Sequence, residues 1–174
     1  SENICNYYNK ITDTKCINIR LSNSYGSPIF KENNCWWLVI NDLCKTAIEN
    51  NEIKLKSDGS PQRDFIHGDD VARAIEVLLN TDISNTPNNT YHISSGDTLT
   101  IWEIANTVKK VYQDRFKSSI QILLPENTTP LKPNKFSQIE NYTISNTNIK
   151  SLGFVPINDL KTGINEIFDY LQKK

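Results

Sequence analysis

The chain has 174 residues, of which 22% are charged and 37% hydrophobic, so it can bury about 70% of its unfolded surface without disulfides. A net charge of -1, with acids and bases interspersed, argues against a nucleic-acid surface, which would need a basic face. No apolar run approaches the roughly 20 residues that span a bilayer, and residues 1–10 lack the apolar centre of a secretion signal.

Taken in chain order, residues 1–12 read as the tail of a helix, with Ile4, Tyr7, Tyr8 and Ile11 at helical spacing. A domain rarely begins inside a helix, so a preceding segment is expected. Lys15 to Leu21 alternates as a strand and runs into a turn-forming cluster from Ser22 to Pro28. Cys35 to Glu49 carries a wide apolar stripe and predicts a helix. Ile53 to Lys56 is a short strand, Asp58-Gly59 a turn, and Arg63 to His67 a second extended piece. Asp69 or Asp70 is expected to cap a helix running to about Leu79.

After a polar connection, Thr90 to Ser94 reads as a strand. Thr100 with Glu103 three residues on is a capping-box signature for a helix whose inner face is Ile101, Ile104, Ala105, Val108 and Val111. Ser119 to Leu124 is a strand, and Pro125 to Asn141 an irregular stretch. Asn146 to Leu152 is a short helix closed by Gly153, and Leu160 to Leu171 a final amphipathic helix. Alternating helices and short strands give an α/β arrangement.

Cys5, Cys16, Cys35 and Cys44 form no C-x-x-C pair, and the chain has two histidines, His67 and His92. No metal site is expected from them. Free thiols in a reducing cytoplasm are the simplest reading, with oxidised pairs the alternative. The sequons at Asn88, Asn127 and Asn141 follow from an Asn-rich composition and are not read as glycosylation.

Four ordered segments resemble the extended short-chain dehydrogenases that act on nucleotide sugars. Arg20-Leu21-Ser22-Asn23-Ser24-Tyr25-Gly26 is similar to the family's R-x-x-N-x-Y-G. Asp58 to Ala74, containing Arg63-Asp64-Phe65-Ile66-His67 and Asp69-Asp70-Val71, is similar to G-D-G-x-x-x-R-D-F-x-H-V-D-D-V-x-x-A and is the most specific of the four. Tyr91 to Gly96 with Glu103-Ile104-Ala105 resembles Y-N-I-G-x-G then E-x-A. Leu152-Gly153-Phe154-Val155-Pro156 with Gly163-Ile164 resembles L-G-F-x-P then G-L.

The resemblance implies the C-terminal portion of a Rossmann-type fold, with the last sheet strands and a small mixed α/β substrate-binding domain. Residues 1–30 and about 68–115 would go with the Rossmann sheet, and 31–67 and 116–174 with the substrate domain. The family's Gly-rich phosphate loop and its Tyr-x-x-x-Lys pair would lie before Glu2, and no G-x-x-G-x-x-G occurs in the chain. The chain is therefore read as lacking the NAD-binding half and the catalytic pair, so no catalytic residue is assigned. NAD or NADP is expected in the full-length parent and not on this piece alone, because helix-terminal N–H groups of that half hold the pyrophosphate.

The resemblance also implies roles for single residues. Asn23 would contact the sugar or pyrophosphate, with turn stabilisation as the alternative. Leu21, Ser22 and Asn23 would border the cofactor. Arg63 would clamp a phosphate or ribose, since a guanidinium donates two parallel hydrogen bonds; the alternative is an ion pair with Asp64, Asp69 or Asp70. The backbone of Ile53, Lys54 and Leu55 would lie along the base. Asn34 and Trp37 would face the diphosphate from the start of the helix, with one of Trp36 and Trp37 expected in the core. Lys132, or Lys135, would stand in for an arginine on the diphosphate, and Ser145 occupies a position where aspartate is common. His67 is read as structural.

The expected partners are a UDP-, dTDP- or GDP-linked sugar and a second subunit in a homodimer, with neither nucleic acid nor membrane. Two other readings remain open: a non-catalytic nucleotide-sugar binding module, and a structural piece whose first helix forms a dimer.

Overall fold

Burying the apolar stripes predicted above requires distant segments to meet, and a computed structural model describing residues 1–82, 89–126, 128 and 142–173 shows how they do so. The order is α1 (Glu2–Ile11), β1 (Asn18–Leu21), β2 (Asn23–Tyr25), α2 (Val39–Asn50), β3 (Glu52–Lys54), β4 (Gln62–His67), α3 (Gly68–Asn80), β5 (Thr90–Ile93), β6 (Thr98–Thr100), α4 (Ile101–Phe116), β7 (Gln121–Leu123), α5 (Thr147–Lys150) and α6 (Leu160–Gln172). Among the described residues three short parallel ladders form: β1 with β5, β2 with β4, and β3 with β7. β6 adds to β4 in the antiparallel sense. Among the described residues no helix is long and apolar enough to cross a membrane.

Several elements differ from expectation. Asn23–Tyr25 is a strand, not part of a turn, because its backbone pairs in register with Phe65, Ile66 and His67. β6 was not expected, and it exists because Thr98–Thr100 lies against Gln62–Asp64. α2 begins at Val39, four residues after Cys35. A tight turn from Leu38 N–H to the Cys35 carbonyl precedes it, and the Trp37 indole N–H donates to the Asn34 carbonyl at 2.9 Å. α3 is capped by His67 and not by Asp69 or Asp70: the His67 ring nitrogen Nδ1 accepts from the Asp69 N–H at 3.3 Å. The capping box at Thr100 and Glu103 forms in full, with Glu103 Oε2 accepting from the Thr100 N–H and Thr100 Oγ1 accepting from the Glu103 N–H.

The core lies in two clusters. One joins α2, α4 and α6 over β3, with Ile40, Leu43, Ile53, Ile104, Val108, Ile164 and Phe168 inside. The other joins α3 to β4 and β5 through Ile66, Leu78, Tyr91 and Ile93, and takes in Ile149 and Phe154. α4 packs with α2 and α6, while Ile149 and Phe154 pack beside β5. Trp36 packs against the first cluster with its ring 5.9 Å from that of Tyr170, whereas Trp37 points outward.

Candidate nucleotide-sugar site

β4 carries the most informative segment, and its neighbours fix it tightly. Asp64 is fully buried. Its carboxylate accepts from the Ser95 N–H (3.0 Å), the Ser95 hydroxyl (2.9 Å) and the Gly96 N–H (2.8 Å). This clasps the turn between β5 and β6 onto β4 and leaves Arg63, the preceding residue, on the exposed face. Asp70 is also fully buried. It accepts from Arg73 Nη1 (2.7 Å) and from the N–H groups of Ile157 (3.1 Å) and Asn158 (3.0 Å). Both carboxylates are thus engaged in holding backbone and Arg73, while Arg63 Nη1 donates to the Gln62 carbonyl.

Residues in register on neighbouring strands share a face. Asn23 pairs with Phe65, and Arg63, two residues before Phe65, projects to that same side. Asn23 and Arg63 therefore sit on one face of the sheet, both exposed. The Asn23 amide is oriented by donating to the Asp64 carbonyl at 3.0 Å. On the other side of β4, Arg63 stands opposite Leu99, two residues from Ile101.

Ile101 belongs to the wall of a cleft of about 200 Å³, which also includes Trp37, Asp42, Lys54, Leu55 and Lys56. Small-molecule pockets usually enclose roughly 300–1,000 Å³, so this one suits a flat ring system better than a whole nucleotide sugar. Of the residues singled out from the sequence, Trp37, Lys54 and Leu55 meet here. Ile53 is fully buried below. Leu55 N–H donates to the Leu123 carbonyl, so strand alternation turns the N–H and C=O of Lys54 to the edge away from β7. Asn23, Asn34 and Arg63 lie outside the cleft lining. Lys132 and Lys135 lie outside the described residues. Asp42 and Lys56 were missed in the sequence; the signal available was their placement, Asp42 in the first turn of α2 and Lys56 two residues after Lys54.

At the end of β1, Leu21 is exposed, and Ser22 Oγ is buried with no hydrogen-bond partner among the described residues. Both residues lie at the carboxyl end of a parallel strand.

The histidine cluster has a structural account. His67, Asp69 and Glu166 bring ligand-type atoms within 4.8 Å of one another. His67 Nδ1 is occupied by the Asp69 N–H, and Nε2 lies 3.0 Å from a Glu166 oxygen, poorly aligned for a hydrogen bond. The ring is edge-on to Tyr25 at 5.3 Å. Burial, reinforced by Asp159, Asp70 and Glu166, pushes the Tyr25 phenol well up and keeps it protonated. Burial also pushes the Cys44 thiol up. Asp58 is held low by the Ser60 hydroxyl and N–H, and Asp159 by the Thr162 N–H at the start of α6.

One Tyr-x-x-x-Lys spacing does occur in the chain, Tyr170 to Lys174. Tyr170 is in the last turn of α6 against Trp36, and Lys174 is outside the described residues.

The comparisons agree with this architecture. A solved UDP-N-acetylglucosamine 4-epimerase from Methanobrevibacter ruminantium, in complex with UDP-N-acetylmuramic acid, superposes with a TM-score of 0.75 at 18% identity. The match covers 99% of this chain and 51% of that one. A dTDP-glucose 4,6-dehydratase from Bacillus anthracis in complex with NAD matches with a TM-score of 0.70 at 21% identity, over 99% of this chain and 49% of that one. GDP-L-fucose synthase 1 of Arabidopsis thaliana is 30% identical over 122 residues, which are 70% of this chain and 33% of the relative. The chain thus spans about half the length of the solved relatives and a third of the curated one. The model of the NAD dependent epimerase/dehydratase family matches residues 1–94. With its parallel ladders, its R-D-F-I-H strand and that match, the chain belongs to the NAD dependent epimerase/dehydratase family, within the extended short-chain dehydrogenases.

Proposed function

We propose that this chain carries the nucleotide-sugar site of an NAD(P)-dependent epimerase, dehydratase or reductase, and that alone it binds without turning over. The observation that carries this reading is the shared sheet face of Asn23 and Arg63, joined through Leu99 and Ile101 to the cleft at Trp37, Lys54 and Leu55. A base in the cleft and a diphosphate at Arg63 would account for both features. The relatives whose names include UDP-, dTDP- or GDP-linked sugars favour the same ligand class. NAD or NADP, when bound to the whole enzyme, supplies the hydride acceptor. Leu21, Ser22 and Asn23 would border it, with Asn23 held by the Asp64 carbonyl. Residues 1–30 and about 68–115 would go with the Rossmann sheet of the whole enzyme, and 31–67 and 116–174 with its substrate-binding domain.

Arg63→Ala is expected to weaken binding of nucleoside diphosphates about tenfold to a hundredfold by calorimetry, the range for losing a charge-assisted pair. Arg63→Lys should recover only part of it, because lysine cannot donate as a fork. Thermal stability should hardly change, since Arg63 is exposed. Unaltered affinity in Arg63→Ala would reject the clamp.

A dimer is proposed on a separate observation. α1 has no buried residue, and Ile4, Tyr7, Tyr8 and Ile11 are all exposed along it, an apolar stripe that a second copy would cover. Light scattering is expected to give twice the 19.9 kDa chain mass, and Tyr8→Glu to return it to the monomer. A parent chain that stays monomeric at high concentration refutes this.

A further inference from the structure

The cleft wall contains an ion pair between two elements. Asp42 Oδ2 accepts from Lys56 Nζ at 2.8 Å, Asp42 coming from α2 and Lys56 from the segment after β3. The Lys56 side chain is 83% exposed and that of Asp42 27%, so the pair adds little to stability. Its chemistry is more telling. A carboxylate only accepts and an ammonium only donates, so this wall presents two acceptor oxygens beside a donor.

Beside the pair stands Trp37, 71% exposed, its indole tethered through Nε1–H to the Asn34 carbonyl at 2.9 Å. A tethered, exposed indole at the mouth of a cleft offers its face to a planar base. Guanine carries a carbonyl at C6, an N–H at N1 and an amino group at C2 in sequence along one edge. Uracil and thymine carry one N–H between two carbonyls. A carboxylate meets both guanine donors with its two oxygens, whereas against a pyrimidine its second oxygen faces a carbonyl oxygen. Such a mismatch leaves polar groups unpaired and discriminates strongly.

We infer that this cleft takes a guanine base, with Asp42 accepting from N1–H and the C2 amino group, Lys56 donating to O6, and Trp37 stacking on the rings. The inference rests on the nucleotide-sugar reading above and narrows it to guanine nucleotides. The long Lys56 side chain can swing from Asp42 to O6 while remaining close enough to balance the carboxylate charge.

The test is calorimetric titration of this chain with GDP, UDP, dTDP and inosine diphosphate, which lacks the C2 amino group. GDP should bind at least about tenfold tighter than UDP or dTDP, and inosine diphosphate more weakly than GDP. In Asp42→Asn, GDP should fall to about the level of inosine diphosphate, with UDP within about threefold of its parent value. UDP or dTDP binding as tightly as GDP, or GDP and inosine diphosphate binding equally to the parent chain, overturns the guanine inference and leaves the nucleotide-sugar reading standing. No binding of any of the four overturns both.

Discussion

Asp64→Ala should destabilise the chain by about 3–5 kcal/mol, read as a fall in the urea midpoint at unchanged slope. The carboxylate is fully buried and takes the Ser95 N–H, the Ser95 hydroxyl and the Gly96 N–H. Hydrogen bonds to a charged group contribute about 1.5–3 kcal/mol each, and orphaning a buried N–H costs about 1–3 kcal/mol more. These terms do not add in full, because one site supplies them all. Asp64→Asn should lie between, since its amide keeps one acceptor oxygen but sets an N–H group against the donors it replaces. A loss under about 1 kcal/mol in the alanine variant would show that water or a local shift replaces the carboxylate. Because Asp64 anchors the strand that presents Arg63 and receives the Asn23 amide, nucleoside diphosphate affinity should fall along with stability.

The second large effect has an unusual sign. Gly163 is inside the first turns of α6, where helix propensity alone favours alanine by about 1 kcal/mol. A Cβ at Gly163 would stand 2.5 Å from Tyr25 Cε2 and 2.8 Å from His67 Cδ2. Neither neighbour yields easily: Tyr25 is buried against the core and His67 is the cap of α3. Gly163→Ala should therefore cost about 1–3 kcal/mol by overpacking, and Gly163→Val more. Thermal denaturation decides between the two principles, and a stabilised alanine variant would mean that α6 does not close onto the Tyr25–His67 pair. The same contact explains the glycine of the final motif: α6 approaches β2 and β4 more closely than a side chain allows.

Much of the local structure could be read directly. The Thr100/Glu103 box located the start of α4 because capping acts over three residues. The stripes of α2 and α6 followed from helical periodicity, and the family from motifs that are contiguous in sequence. β2 and β6 were not legible, because Ser-Asn-Ser-Tyr and Thr-Leu-Thr hold few branched apolar residues, and their strand character comes from pairing with β4. The cap of α3 was misassigned for a related reason. Acidic residues ordinarily take that position, but here a ring clamped between Tyr25 and Glu166 supplies the acceptor.

For the candidate site, the residue types that meet phosphate and base could be named from sequence: Arg63, Asn23, Trp37 and the Lys54–Leu55 strand. Which of them are neighbours could not. Asn23 and Arg63 share a face through the parallel register that pairs Asn23 with Phe65, and Asp42 faces Lys56 because α2 folds back over β3. Sequence by itself determined the family, the helices with strong periodicity and the identity of the charged and aromatic side chains, since these depend on interactions within a few residues. Only the tertiary structure decided strand register, the clasp of Asp64 and the pairing in the cleft wall, because each depends on two segments far apart in sequence meeting once the apolar faces are buried.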